Sequence, residues 1–455
     1  SYLNSLPNYE KNINYSYREA LKLKRIKDFL FLIGNPQESL RVIHLAGTKG
    51  KGSTCAFAAY ILRAAGFRVG LYTSPHLHDF RERIRILSPS LRGASATKQS
   101  KQRDCFAPTG LAMTQGKIND FEGMISQKML AKLVCQLKPV INQYNRQSKD
   151  GPLTFFEVYT VIAFLYFRQK KVDFAVLETG LGGALDATNA AHSLGCGIAP
   201  ISFEHIQKLG KTLAKIAAEK AGIIKDQMVI VISAAQKQEV GRVISGRCKK
   251  FQAKIFEVGE KIKYFKNKSG FTVQGLRQDY KNLRLRLLGG HQMANAALAV
   301  GLVEALNFYG FNIGGKAIRE GLGNTIWPGR CEVIARKPLV VLDGAQNLAS
   351  AVTLKSAIKD NFKYKKLILI LGISDDKDIR GVCRALDSLA DEVILTCANT
   401  IRALEPKKIA FYFKRKVYLT QNVKEAKLLA KRLAHQEDLI LVTGSLFVVG
   451  EFRNV

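Results

Sequence analysis

One short run near the start of the chain constrains its fold more than any other. Residues 41–45 form a β-rich segment that leads straight into Gly47-Thr48-Lys49-Gly50-Lys51-Gly52-Ser53-Thr54 and then an Ala-rich helical stretch to Ala65. Gly66 ends that helix, and residues 68–72 read as the next strand. Strand, glycine turn, helix and strand make a βαβ unit, which implies a parallel sheet with right-handed crossovers. Successive glycines let backbone N–H groups close around phosphate oxygens, and the helix N-terminus adds partial positive charge. Lys51 can reach outer phosphates, and Ser53 or Thr54 can offer a hydroxyl toward Mg²⁺. The strict P-loop spacing is not met, because Gly52 stands between Lys51 and Ser53. A plain glycine-rich βα turn is the simpler alternative; the flanking strand and helix favour nucleotide phosphate.

The same alternation continues. Periodicity predicts a helix over 17–33, with Leu21, Ile26, Phe29, Leu30 and Ile33 along one face and Gly34-Asn35-Pro36 as its stop. Helices over 155–167, 213–221 and 294–306 and strands over 174–178 and 228–233 follow. Residues 255–288 change texture, with runs such as Leu283-Arg-Leu-Arg-Leu that predict a small antiparallel insertion. After Trp327-Pro328-Gly329-Arg330 the pattern starts afresh, with strands expected at 339–342, 366–371, 392–395, 417–419 and 439–442. A chain of 455 residues exceeds what one core usually serves. The expected fold class is therefore α/β in two domains. Residues 1–324 would carry a P-loop-type, mostly parallel sheet flanked by helices, with the small antiparallel insertion. Residues 325–455 would form a smaller, Rossmann-like α/β domain.

Composition narrows the partners. Lys+Arg 70 against Asp+Glu 37 gives +33, a statement about partners and solubility rather than fold. The lysines are dispersed, so compositional bias is the simplest account. Apolar residues at 47% and charged residues at 24% fit a soluble globular protein. The longest apolar stretch, 158–167, is too short for a bilayer span, and SYLNSLPNYEKN is no signal peptide, so no membrane partner is expected. Eight scattered Cys without CxxC argue against a disulfide framework or structural zinc and for a reducing cytoplasm. Residues 88–117 are Ser/Ala/Thr/Gly-rich, basic and aperiodic, which predicts a disordered surface insertion. A nucleic-acid arm is the sharper alternative; without basic-aromatic motifs it ranks last, and no nucleic acid is expected.

Several single residues can carry chemistry. Ser74 follows a strand, where a parallel sheet gathers ligand groups, although a capping hydroxyl is the plainer reading. Glu178 closes the strand 174–178 ahead of Thr179-Gly-Leu-Gly-Gly, a position suited to Mg²⁺ bridging phosphates. Asp186 is either a companion acid or a helix cap. His205 is a possible third metal ligand, and Lys220 by default is a snorkelling lysine. Asp343 ends another strand, and Arg330 after the hinge can reach back to phosphates.

Taken in order, GTKGKGST, YTSPHLHDFRERIRI, PLTFFE, VLETGLGGALDATN, EHIQKLGKTLAKIAAEKAGIIK, GGHQMANAALA, WPGRCE, DGAQN and TGSLFVVGEFR resemble the folylpolyglutamate synthase/dihydrofolate synthase family. These are ATP-dependent amide ligases related to the Mur ligases, and the resemblance spans nearly the whole chain. It implies that Gly50, Lys51, Gly52, Ser53 and Thr54 form the ATP phosphate loop. It implies Ser74, Glu178 and His205 as Mg²⁺ ligands, Lys220 as a carbamylated lysine, and Lys51, Lys220, Glu178 and His205 as the catalytic set. Asn295, Arg330 and Asp343 would contact nucleotide, and Thr154, Phe155, Phe156 and Asp186 the pterin. The implied activity adds L-glutamate to tetrahydrofolate and to dihydropteroate through an acyl phosphate, with ATP and Mg²⁺, in a cytoplasmic monomer. Part of the positive charge would then steer a polyanionic folate.

Two departures from the family pattern, at Gln346 and Ala184, bear on the acceptor half, and a third, at Glu204, is mild. Gln346, followed by Leu348, stands where DGAHNP carries His, associated with the glutamate end of the reaction. An amide keeps hydrogen-bonding capacity but cannot become cationic. Ala184 replaces the Arg of GLGGRLD, and Glu204 replaces an Asp. The alternative reading is thus an ATP-binding family member with lost or altered acceptor activity.

Overall fold

The computed structural model describes residues 2–10, 15–89, 121–375, 378–400 and 402–455. Its central sheet is built from β1 (Val42–Ala46), β2 (Val69–Tyr72), β3 (Ile84–Leu87), β4 (Phe174–Glu178), β5 (Ser193–Ile198), β6 (Ile230–Ser233) and β7 (Lys254–Glu257). The strands lie in the order β3-β2-β4-β1-β5-β6-β7, every neighbouring pair parallel except β2–β3. β1 and β4 are buried along their whole length, as a sheet covered by helices on both faces requires. One face packs on helices Lys51–Ala64, His291–Ala305 and Gly315–Asn324, the other on Leu23–Leu32, Gln127–Gln147 and Phe155–Gln169.

Strands β8 (Lys263–Asn267), β9 (Gly270–Gln274) and β10 (Asp279–Leu283) form a separate antiparallel sheet. The third sheet contains β11 (Glu332–Arg336), β12 (Leu339–Leu342), β13 (Leu367–Leu371), β14 (Glu392–Leu395), β15 (Lys416–Leu419) and β16 (Leu439–Thr443). Its order is β11-β12-β16-β13-β14-β15, parallel apart from the β11–β12 hairpin, with a core on each face. The fold class is therefore the expected one: α/β, two domains, sheets dominated by parallel pairs.

Several local expectations need correction. The helix over 17–33 is two helices, Tyr17–Ala20 and Leu23–Leu32, with Leu21 extended between them. The Ala20 carbonyl that would continue the helix accepts instead from Arg25 Nη2 at 2.7 Å. The antiparallel insertion starts at Lys263, not 255, because β7 adds in parallel to β6. β5 shows no strand signature in Ser-Leu-Gly-Cys-Gly-Ile, since its glycines answer to packing rather than propensity. A Cβ on Gly197 would come within 2.9 Å of Leu302 and 3.0 Å of Leu45.

Of the insertion expected at 88–117, residues 90–117 lie outside the described residues. The described chain leaves at Pro89 and resumes at Phe121 alongside β3, where Ile86 N–H donates to Gly123 O at 2.8 Å. The seven cysteines among the described residues are free. No helix among the described residues is long and apolar enough to cross a membrane.

Candidate active site

The loop that leaves β1 is held open by what surrounds it. Gly47 lies so close to β5 that a Cβ would stand 2.7 Å from the Ala199 side chain. Thr48 and Lys49 N–H both donate to Pro200 O, at 3.0 and 3.3 Å. Gly50 adopts φ +82°, the left-handed region, and its Cα faces the Asn295 amide, which a side chain would strike. A Cβ on Gly52 would meet the Trp327 ring at 3.0 Å. The helix Lys51–Ala64 starts here without a side-chain cap, so its first N–H groups are available to an anion. Ser53 and Thr54 lie in its first turn, both buried, and the Thr54 hydroxyl has no hydrogen-bond partner.

Charge converges on this turn. Lys51 Nζ donates to Gly47 O at 3.2 Å and sits 3.9 Å from Glu178 Oε1. Lys220, buried on helix Leu213–Ala221, donates to the same Gly47 carbonyl at 2.7 Å. Burial, and then the Lys51 ammonium, bring the Lys220 amine down to about 7. Glu178 ends β4 beside β1, and its Oε2 accepts from Ser74 N–H at 3.2 Å, beyond β2. Burial pushes its carboxyl up, while Lys51 and the Ser74 N–H pull it down. The phosphate-type loop, Ser74, Glu178 and Lys220 are thus one cluster at the carboxyl ends of β1, β2 and β4.

Glu204 reaches the cluster from the segment after β5, pairing with Lys49 at 2.6 Å. Burial opposes ionisation of Glu204, but Lys49 overcomes it and holds the carboxyl below its usual range. His205, next in sequence, is exposed at φ +51° and opens the short helix Ile206–Leu209. Among the described residues no group of three His, Cys, Asp or Glu is placed to hold a metal alone. One buried carboxylate beside a serine and an open phosphate loop suits Mg²⁺, which usually takes few protein ligands and shares phosphate oxygens.

Arg330 bears on Glu178 from the C-terminal side, with Asp343 beside it. Asp343 accepts from Cys331 and Ala345 N–H, both at 2.8 Å, and burial raises its carboxyl against the pull of Arg330. The Arg330 charge also bears on His291. Gln346 is half-buried on the segment after β12, where Asn347 caps helix Leu348–Asn361.

The acceptor candidates form a second group beneath the turn after β4. Thr154 is engaged in a capping box with Glu157, which is itself paired to buried Arg25 at 2.9 Å. Phe155 stacks on Tyr159 at 5.4 Å with the Arg83 guanidinium 5.6 Å from its centroid. The Phe156 ring lies on Gly180, where a Cβ would approach within 2.6 Å. Asp186 is the cap of Ala187–Ala190 and is buried with both oxygens engaged, so its side chain organises the turn. Ala184 presses on Gly222, and its N–H donates to Glu219 O at 2.8 Å.

Some structurally placed residues were not singled out by sequence. Trp327 roofs Gly52; the signal available was a lone tryptophan in a hinge-like Trp-Pro-Gly. The Leu77 side chain packs on Gly329 and its backbone on Gly450, tying the Ser74 loop to the helix Leu446–Asn454. Glu82 accepts from Leu77, His78 and Asp79 N–H and fixes that loop's shape. Arg83 is buried with a forked contact to Glu10, both bonds 2.6 Å. No local pattern marks Glu10 for that role.

Comparison with known proteins gives a consistent picture. The Mur ligase middle domain matches residues 124–303, and the Mur ligase glutamate ligase domain matches residues 329–446. Dihydrofolate synthase/folylpolyglutamate synthase of Bacillus subtilis is 31% identical over 440 residues, covering 95% of this chain and 94% of that protein. The Mycobacterium tuberculosis protein of the same name is 30% identical, covering 95% and 89%. Among solved structures, Mycobacterium tuberculosis folylpolyglutamate synthase complexed with ADP is similar with a TM-score of 0.81 at 30% identity, covering 95% of this chain and 94% of that one. E. coli FolC in complex with DHPP and ADP is similar with a TM-score of 0.81 at 25% identity, covering 100% and 96%.

Proposed function

The chain belongs to the folylpolyglutamate synthase/dihydrofolate synthase family of Mur ligases, and from that premise we propose that it is an ATP-dependent ligase joining L-glutamate to a folate. The observation that carries this reading is the meeting of Lys51 and Glu178, 3.9 Å apart, at the open N-terminus of helix Lys51–Ala64. We place the division between ATP-binding and C-terminal ligase parts near residue 324. Tetrahydrofolate and dihydropteroate are both proposed acceptors, since relatives such as the Bacillus subtilis protein carry both names. Because the reaction consumes ATP, the cytoplasm is its expected place.

A carboxylate is a poor electrophile, and it must meet a second anion, the γ-phosphate. In the proposed reaction the acceptor carboxylate oxygen attacks γ-phosphorus and ADP leaves. The glutamate amine then attacks the acyl carbon, expelling phosphate and losing a proton. Lys51 neutralises charge on the transferring group, and the uncapped helix N-terminus holds the remaining phosphate oxygens. Glu178, Ser74 and His205 would hold Mg²⁺, which when bound offsets phosphate charge. With its amine brought down to about 7, about half of Lys220 is uncharged near neutrality, and that neutral amine can add to carbon dioxide, lose a proton and become an anion. Such a carbamate would draw a cation to the place where an ammonium repels one. Arg330 and Asp343 would close on the nucleotide from the other domain and exclude water from the acyl phosphate.

Radiolabelled glutamate incorporation with Mg-ATP tests the proposal. Incorporation into tetrahydrofolate and dihydropteroate, matched by ADP release, is expected. No incorporation into either acceptor would overturn it and leave a nucleotide-binding protein without ligase activity.

A further inference from the structure

β1 reads Val-Ile-His-Leu-Ala and is buried throughout, so a histidine at its centre is out of character. His44 is fully buried, and its Nε2 lies 2.8 Å from Thr188 Oγ1. Thr188 Oγ1 in turn lies 2.5 Å from Asp186 Oδ1. The directions of these bonds follow from what Asp186 already accepts. Thr188 N–H donates to Oδ1 at 3.0 Å, and Gly180 and Leu181 N–H both donate to Oδ2 at 2.9 Å. A carboxylate so surrounded acts only as acceptor, so the Thr188 hydroxyl gives its proton to Asp186. The threonine oxygen is then left to accept from His44 Nε2–H.

That assignment makes Nδ1 a bare acceptor, and it is buried without a hydrogen-bond partner. A leucine or valine at the same position would carry no such orphan, so the histidine incurs a cost that packing alone does not explain. Burial, with the Lys225 charge, lowers the imidazole to about 3. The ring is therefore neutral and holds one tautomer across the physiological range. What it supports is the far end of the chain of bonds: the Gly180–Leu181 backbone, on which the Phe156 ring lies.

We propose that His44 is a positioning residue for the folate acceptor, fixing through Thr188 the Asp186 carboxylate and the Gly180 turn that backs Phe156. The inference rests on the reading of Phe156 and Asp186 as the acceptor pocket. It makes a separable claim, because β1 also feeds the phosphate loop. A general loss of the strand would disturb ATP and acceptor together, whereas the relay acts on the acceptor alone.

The test is steady-state kinetics of the full chain with acceptor and ATP varied in turn, for His44→Leu, His44→Gln, Thr188→Val and Asp186→Asn. His44→Leu and Thr188→Val should each raise the acceptor KM about tenfold and leave the ATP KM within about twofold. The double variant should be no worse than either single one, because both break one chain. His44→Gln, whose amide N–H can reach Thr188, should recover most of the loss. Thr188→Val keeps the side-chain shape and carries the test if His44→Leu does not fold. An unchanged acceptor KM in Thr188→Val, a parallel rise in both KM values, or additive losses would overturn the relay. If Asp186→Asn also leaves the acceptor KM unchanged, the pocket reading itself falls; if Asp186→Asn raises it and Thr188→Val does not, only the relay does.

Discussion

Lys51 and Lys220 donate to one and the same oxygen, the carbonyl of Gly47, at 3.2 and 2.7 Å. Burial, reinforced by the neighbouring Lys51 ammonium, brings the Lys220 amine down from 10.5 to about 7. The unfolded chain binds more protons at this group between about pH 7 and about 10.4, so its contribution makes stability rise with pH through that window. Lys220→Met removes the titration and should flatten that part of the stability profile in urea titrations. Activity that depends on a neutral Lys220 should fall as pH drops below about 7, and the same variant should abolish turnover.

Glu178 is buried with its carboxyl pushed up and Lys51 as counter-charge. Glu178→Gln keeps size and hydrogen bonding but removes the anion. It should lower kcat by about 10²–10³, the scale of losing one preorganised electrostatic group, while nucleotide affinity measured in EDTA stays near the parent value. Calorimetric titration of ADP with and without Mg²⁺ checks this, and the parent's metal dependence should be lost in the variant.

Gly50 has no room for a side chain and sits at φ +82°. Gly50→Ala should cost about 1–2 kcal/mol from the left-handed backbone alone, seen as a lower thermal midpoint. It should also weaken ATP binding, since relief of the clash moves Asn295 and the turn. The control Gly241→Ala, on a helix surface with open space, should leave ATP binding unchanged.

On the proposed reading Gln346 would offer glutamate an uncharged amide where the resemblance implies histidine. Gln346→His should lower the KM for glutamate, with the larger gain below pH 7 where imidazole is charged. The ATP KM should change less than the glutamate KM, since the side chain altered is Gln346 and not Asp343, the proposed nucleotide contact on the same segment. Glutamate-dependent ADP release at several pH values reads both effects.

Leu77 joins two bodies of the fold: its side chain packs on Gly329 and belongs to the apolar cluster of the C-terminal domain, and its backbone lies against Gly450. Leu77→Ala should destabilise by about 2–4 kcal/mol, the usual range for a buried leucine. Because Ser74 lies three residues away on the same loop, kcat should fall more than the loss of folded protein accounts for.

How much of this was readable in advance depends on the range of the interaction. The βαβ unit around Gly47, the strand ending in Glu178 and the helix Leu213–Ala221 were legible because local pattern and packing agree there. β5 was not, because its glycines serve the approach of Leu302 and Leu45 from distant segments. The break at Leu21 was hidden for the same reason: Arg25 needs Glu157, 132 residues away. At the site, motif order pointed to Glu178 and Lys220, but their shared environment with Lys51 is a tertiary fact. Asp186 shows the limit most clearly, since an acid and a cap look alike in sequence and only its four donors separate them.

The central claim is that Lys51, Glu178 and the open helix end serve transfer of the γ-phosphoryl group to an acceptor carboxylate. It is tested most directly with dihydropteroate carrying ¹⁸O in its carboxylate, glutamate and Mg-ATP, followed by mass analysis of the released phosphate. An acyl phosphate requires one ¹⁸O to move from the acceptor into phosphate with each amide formed. Amide formation with unlabelled phosphate would contradict the account.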